Sequence, residues 1–280
     1  MSTSRLVERL RAVGWVVGFY LGAAGAALAA HWVMPPLPFP ENLAVLWATL
    51  PLVIGAMIAS LVAVAVRGNL TVLGWPRRCA AVRNGAIAGV AIGGAMAAMA
   101  LIVTAIGGAT WVGTGEPFAG YLAAVGVVLG GIVVAALGEE LLFRGFPLAV
   151  LAQAFGRVTA AGVLSVLFTL AHLGNPSVTA LGLANILLAS LVLSAAFFTP
   201  GALPAAWGLH AAWNGGLALA DAPVSGIRFD APAIDYAPGS QDWLTGGSFG
   251  PEGGAAATVV LAGALVWLVA RLRAPREVAA

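Results

Sequence analysis

Six side chains between residues 139 and 214 have the types and spacing for acid–base chemistry: Glu139, Glu140, Arg144, His172, His210 and Asn214. A carboxylate or an imidazole can draw a proton from water, and His and Asn N–H groups can receive the negative charge that develops on a carbonyl oxygen. Glu140 and Arg144 stand four residues apart with the acid first, the better orientation for an ion pair within a helix. Glu139 is rotated from Glu140 by about 100° on a helix of 3.6 residues per turn and has no partner in its own helix. Two adjacent carboxylates in a low-dielectric setting resist ionising together, which makes the unpaired Glu139 the candidate general base. His210 and Asn214 share a helical face one turn apart, and so do Phe168 and His172. A bundle that joined these faces would hold a base, a second proton carrier and donors for an oxyanion. Taken singly, each residue also has a plain role: the Glu140–Arg144 pair can fix helix packing, a histidine can bond a neighbouring carbonyl, and Asn214 can join two helices. His31, beside Trp32, reads as interfacial, and Asn185 reads as structural.

The elements that must position these residues are membrane helices. The chain has 280 residues, 61 % of them hydrophobic and 9 % charged, with a mean hydropathy of +0.98. A soluble domain is about 25 % charged, so a soluble enzyme, a nucleic-acid binder and a disordered chain are excluded. The lone Cys79 excludes an intramolecular disulfide. A spanning helix needs roughly 20 apolar residues. Eight runs meet or approach that, at about 13–34, 43–66, 85–107, 119–143, 158–174, 178–198, 202–220 and 255–271. The segment from Gly201 to Pro204 is either a tight turn or a break in a longer element. The expected fold is all-α: a polytopic bundle of about eight transmembrane helices forming a single domain over 1–280. The first run is long enough to be a retained span rather than a signal-peptide core.

Charge placement sets the expected orientation, because Arg and Lys accumulate on the cytoplasmic side. The chain has thirteen Arg and no Lys. With the N-terminus inside, Arg5, Arg9, Arg11, Arg67, Arg77, Arg78, Arg83, Arg144, Arg157, Arg271, Arg273 and Arg276 fall inside and only Arg228 outside. Glu41, Glu116, Asp221, Asp230, Asp235, Asp242 and Glu252 fall on outer loops. An odd number of spans would put the last three arginines outside, so both termini are expected in the cytoplasm, in a multi-pass protein of the inner (plasma) membrane. The longest loop, about 221–254, carries Tyr236, Trp243 and Phe249. It reads either as a surface loop resting its aromatics on the headgroups or as a substrate-gating lid.

Glu139-Glu140-Leu141-Leu142-Phe143-Arg144-Gly145 resembles the EExxxR(G) motif of the CPBP family, the CAAX-protease and bacteriocin-processing (Abi) proteins. Phe168-Thr169-Leu170-Ala171-His172 resembles its FxxxH motif, and His210-Ala211-Ala212-Trp213-Asn214 its HxxxN motif. All three stand in the family's order on separate expected spans, and the resemblance covers about 115–220. It implies an intramembrane endopeptidase in which Glu139 and His172 activate the attacking water and His210 with Asn214 forms the oxyanion site. Glu140, Arg144 and Phe168 match supporting positions. A glutamate-dependent mechanism without a cofactor is expected. The alternative is a Zn²⁺ ion held by Glu139, His172 and His210 in a His₂Glu hydrolytic site, although the chain has no HExxH pattern.

The expected partners are the lipid bilayer and a membrane-associated protein or peptide, such as a leader peptide, a bacteriocin precursor or a membrane-anchored regulator; no nucleic acid is expected. Glu139 lies near the inward end of its span, which points to substrates presented from the inner leaflet. Two other readings compete. A non-catalytic scaffold or immunity-type protein would keep the bundle and lose the Glu pair or a His. A small proton-coupled transporter would show broken helices in repeated halves, and no repeat is evident.

Overall fold

The computed structural model describes residues 3–35, 41–229 and 233–274. Asp230 and Arg276, which entered the charge count, lie outside the described residues. The fold is an all-α membrane bundle. Its long helices are α1 (Thr3–Val33), α2 (Glu41–Arg67), α3 (Cys79–Ile106), α4 (Phe118–Phe143), α6 (Arg157–Ala171), α7 (Ala180–Phe197), α8 (Ala202–Leu219) and α10 (Ala255–Arg273). Each coincides with one of the eight apolar runs. Two helices have no counterpart among those runs: α5 (Phe146–Phe155) and the single turn α9 (Asp242–Thr245).

Among the described residues, six segments are long and apolar enough to cross a membrane, with α4 and α5 together forming one of them. Helix α6 has only 15 residues. Helix α8 has the length but carries His210 and Asn214, which lower its apolarity. The chain breaks after α4 at Arg144–Gly145, where both backbone N–H groups turn back onto the Glu140 carbonyl. A Cβ at Gly145 would lie 2.6 Å from the Leu141 carbonyl oxygen, so this turn needs glycine, and Pro147 then opens α5. Between α7 and α8 the chain makes a tight turn, which settles the alternative at Gly201–Pro204.

Helix α8 is held from several sides. Gly85, Gly89 and Gly93, spaced by four on α3, present a smooth stripe to it. A Cβ at each would come within 2.5, 2.2 and 2.2 Å of Gly201 Cα, Ala205 O and Leu209 O respectively. Small residues at this spacing let membrane helices approach backbone to backbone. From the other side, Trp207 Nε1 donates to Val133 O at 2.8 Å and Tyr121 Oη to Leu219 O at 2.9 Å, aligning α8 with α4. The Tyr20 hydroxyl ties α1 to the end of α4 through Leu142 O at 3.0 Å.

The described residues of the 221–254 segment, 221–229 and 233–254, are folded. Strands β1 (Thr110–Gly113) and β2 (Ile234–Ala237) pair antiparallel, with Trp111 opposite Tyr236. Trp111 Nε1 donates to Ala220 O at 2.7 Å, pinning the strand pair to the end of α8. Tyr236 and Phe249 are buried and Trp243 is exposed, so only Trp243 fits the expected surface loop. Burial also pushes the Tyr236 phenol up to about 12. Asp221, expected on an outer surface, is buried; it accepts from Arg228 Nη2 at 2.6 Å and from Tyr236 N at 3.0 Å.

Candidate active site

The last turns of α4 carry Glu139 and Glu140, and the break at Gly145 keeps Arg144 directly beneath them. Glu140 and Arg144 are fully buried. Arg144 Nη1 donates to Glu140 Oε1 at 3.0 Å, the pair expected from the spacing. Arg144 Nη2 reaches α7, donating to Ser190 Oγ at 2.7 Å. The guanidinium also lies 4.3 Å from the centre of the Phe168 ring on α6, a cation–π contact in a dehydrated site. One arginine thus joins α4, α6 and α7. Arg144, counted among the arginines of the cytoplasmic side, is turned into the bundle. It sits at the end of an apolar run, where local hydropathy cannot separate an interfacial arginine from one turned into the bundle.

Glu140 has a second partner. His210 Nδ1 lies 2.8 Å from Glu140 Oε1, the oxygen that also accepts from Arg144. An ionised carboxylate only accepts, so Nδ1 carries the hydrogen and Nε2 is the nitrogen left for the other side of the ring. That nitrogen lies 3.8 Å from Glu139 Oε2. Just past the end of α6, His172 Nδ1 donates to the Phe168 carbonyl at 2.7 Å, which likewise leaves Nε2 for chemistry. The Phe168 ring packs 4.4 Å from His172 and 6.3 Å from His210, centre to centre.

Glu139, His172, His210 and Asn214 line one cavity of about 320 Å³. The four residues singled out for chemistry therefore face a common space, with Phe168 in its wall, while Glu140 and Arg144 stand behind them. His31 is exposed at the end of α1. Asn185 is buried and joins elements: its Nδ2 donates to Glu252 O and Gly254 O at 2.8 and 2.9 Å, and its Oδ1 accepts from Thr258 at 2.7 Å.

Glu252 is the polar residue that sequence reasoning missed. Counted as an outer-loop acid, it is buried and lines the cavity together with Ser225, Ile227 and Phe229. Its Oε1 accepts from Trp213 Nε1 at 2.6 Å, and its Oε2 accepts from the Ser225 hydroxyl at 2.8 Å. Trp213 lies between His210 and Asn214 in the third motif, so the loop grips the same helix turn. The cavity therefore extends from Glu139 to the 221–254 segment. The only sequence sign was an acid in a Gly/Pro-rich context just before an apolar run.

Among the described residues, no three His, Cys, Asp or Glu groups converge where one metal ion could be shared. His210 Nδ1 is engaged by Glu140, and His172 Nδ1 by a carbonyl. Bonds on Nδ1 leave each Nε2 open, whether to water or to an ion.

Comparison with curated proteins gives no match. A family model described as type II CAAX prenyl endopeptidase Rce1-like matches residues 121–216. That stretch runs from the first turn of α4 into α8 and holds all three motifs together with Glu139, His172, His210 and Asn214. The match covers about a third of the chain, and over that stretch the chain is similar to the CAAX-protease family that the three motifs resemble.

Proposed function

We propose that the protein is an intramembrane endopeptidase that hydrolyses a peptide bond of a membrane-associated substrate by Glu- and His-activated water. The observation that carries this reading is the convergence of Glu139, His172, His210 and Asn214 on one cavity. Glu139 takes a proton from a water held with His172 Nε2, and the hydroxide attacks the scissile carbonyl carbon. The resulting oxyanion accepts hydrogen bonds from the Asn214 amide and from His210 Nε2. For that role His210 must carry hydrogens on both nitrogens, since Nδ1 already donates to Glu140; the positively charged ring meets this need. The C–N bond then breaks as Glu139 returns its proton to the leaving nitrogen, giving a new carboxyl terminus and a new amino terminus. Glu140 and Arg144 act by orienting His210 and by holding α4, α6 and α7 together.

The reaction as written needs no metal. It is tested by assaying purified protein with a strong zinc chelator and measuring bound zinc in parallel. Activity that falls with chelation and returns with zinc overturns it. We further infer eight crossings of the plasma membrane with both termini on the arginine-rich, cytoplasmic side.

The experiment that tests the function compares membrane and secreted protein termini in cells carrying wild type and Glu139→Gln at equal expression. The variant is expected to be folded, membrane-inserted and inactive, and termini seen only with wild type identify substrates and cleavage depth. Identical profiles would favour the scaffold reading. His172→Ala and His210→Ala are each expected to lose several orders of magnitude in cleavage rate, read with a substrate so identified.

A further inference from the structure

A second cavity, of about 700 Å³, lies at the arginine-bearing end of the bundle, between α3, α10 and the α7–α8 turn. Arg78, Arg157 and Arg271 line it, all three exposed, with no acid among its lining residues. Among the described residues none of the three is ion-paired. Two are held against aromatic rings: Arg157 lies 5.3 Å from the Phe198 ring centre and Arg271 lies 5.1 Å from that of Trp267. Such contacts restrain a long cationic side chain without neutralising it. Apart from Asn84 and Thr199 the rest of the wall is apolar and partly smooth, with Ala88 and Gly89 of α3 and Leu268 of α10 among its residues. From Arg78 to Ile92, both lining residues, α3 and its leading residue rise about 21 Å at 1.5 Å per residue, so the groove runs from the charged end well into the depth of the bundle.

Positive charge at one end and a long apolar wall beneath it match an amphiphile with an anionic head and hydrocarbon tails. We propose that this groove binds an anionic diacyl phospholipid, its phosphate among Arg78, Arg157 and Arg271 and an acyl chain along α3 and α10. Basic pockets between membrane helices take lipid headgroups in this way. An acidic soluble peptide would satisfy the arginines but leave the apolar depth unused. The site is distinct from the chemistry, yet it adjoins it: Leu209, next to His210, lines both cavities. The lipid would therefore bear on the helix that carries His210 and Asn214.

The test is lipid retention by the full-length protein, purified from vesicles of equal parts phosphatidylcholine and phosphatidylglycerol and read by native mass spectrometry. Wild type is expected to retain phosphatidylglycerol selectively. The double variant Arg157→Gln/Arg271→Gln is expected to weaken that retention about thirty-fold, from the loss of two basic contacts. Arg77→Gln/Arg83→Gln removes the same charge from the same end but outside the groove and is expected to behave as wild type. Ala88→Trp fills the groove while leaving every charge in place and is expected to lower retention as well; it serves also if the arginine variant fails to fold. Equal loss in both arginine pairs, or unchanged retention in Ala88→Trp, would reduce the effect to general surface charge and overturn the proposal. Displacement of the lipid by glycerol 3-phosphate alone would also overturn it, since that probe has the head without the chains.

Discussion

Two buried carboxylates grip helix α8 about one turn apart, and they do so by different means. Glu140 holds His210 through Nδ1 at 2.8 Å and is balanced by Arg144 at 3.0 Å, a cation four residues along the same chain segment. Glu252 holds Trp213 at 2.6 Å and takes its other bonds from the Ser225 backbone N–H and hydroxyl, all of them neutral donors. The first lies at the end of a helix and belongs to a local motif. The second arrives from a loop 39 residues beyond Trp213 and depends on that loop being folded. The comparison separates a carboxylate whose charge is compensated before the bundle assembles from one compensated only by assembly.

Breaking the first grip is expected to have the largest effect. Glu140→Ala leaves Arg144 buried without its counter-charge and His210 without its orienting acceptor. Removing one member of a buried pair costs about 3–5 kcal/mol, so the variant is expected to lose activity and unfold at markedly lower temperature in detergent. A variant with normal thermal stability would show that the pair contributes little to the fold. Breaking the second grip is expected to cost less. Glu252→Gln keeps an acceptor for Trp213 but turns an amide N–H₂ toward Ser225, at about 1–3 kcal/mol for a mismatched buried group. Faster proteolysis within 221–254, with helix content intact and a smaller loss of cleavage rate, is the expected pattern. Equal damage from the two variants would place Glu252 among the reacting groups.

Two milder changes sharpen the picture of the loop. Tyr236 titrates near 10 when unfolded and is pushed up to about 12 by burial. Its neutral form therefore supports the folded loop below pH 10, and that support fades as pH rises through about 12. Tyr236→Phe is expected to flatten the alkaline loss of loop protection, measured by limited proteolysis between those values. The smallest effect is expected from Arg228→Gln. Its side chain is 46 % exposed, and a pair open to solvent on one side contributes about 0–1 kcal/mol. Asp221 keeps the Tyr236 N–H in any case. A large shift in thermal unfolding would show that the exposed half of this pair is not screened.

What was legible followed from short-range geometry. The Glu140–Arg144 pair and the shared face of Phe168 and His172 depend only on helical periodicity, and both contacts are present. The eight apolar runs became helices because each is long enough to satisfy its backbone internally. The short helix α5 escaped notice because it continues the apolar run of α4, and only the Gly145 turn separates them. Glu252 was misplaced because chain-local polarity suggested solvent, whereas it found buried partners on other elements. Asn185 had no telling neighbour in sequence, and its partners lie 67 to 73 residues away.

By itself the sequence determined that the chain forms membrane helices, which turns of those helices carry acid–base groups, and which family its core resembles. Those properties are functions of composition and of spacings within a few residues. Only the tertiary structure decided that Glu140 is shared between Arg144 and His210, that the glycine stripe of α3 seats α8, and that the 221–254 segment folds down to wall the cavity. These depend on which helix faces meet and how closely. A bundle whose helices are apolar on nearly every side leaves that choice to small residues, a few buried polar bonds and the shapes they allow.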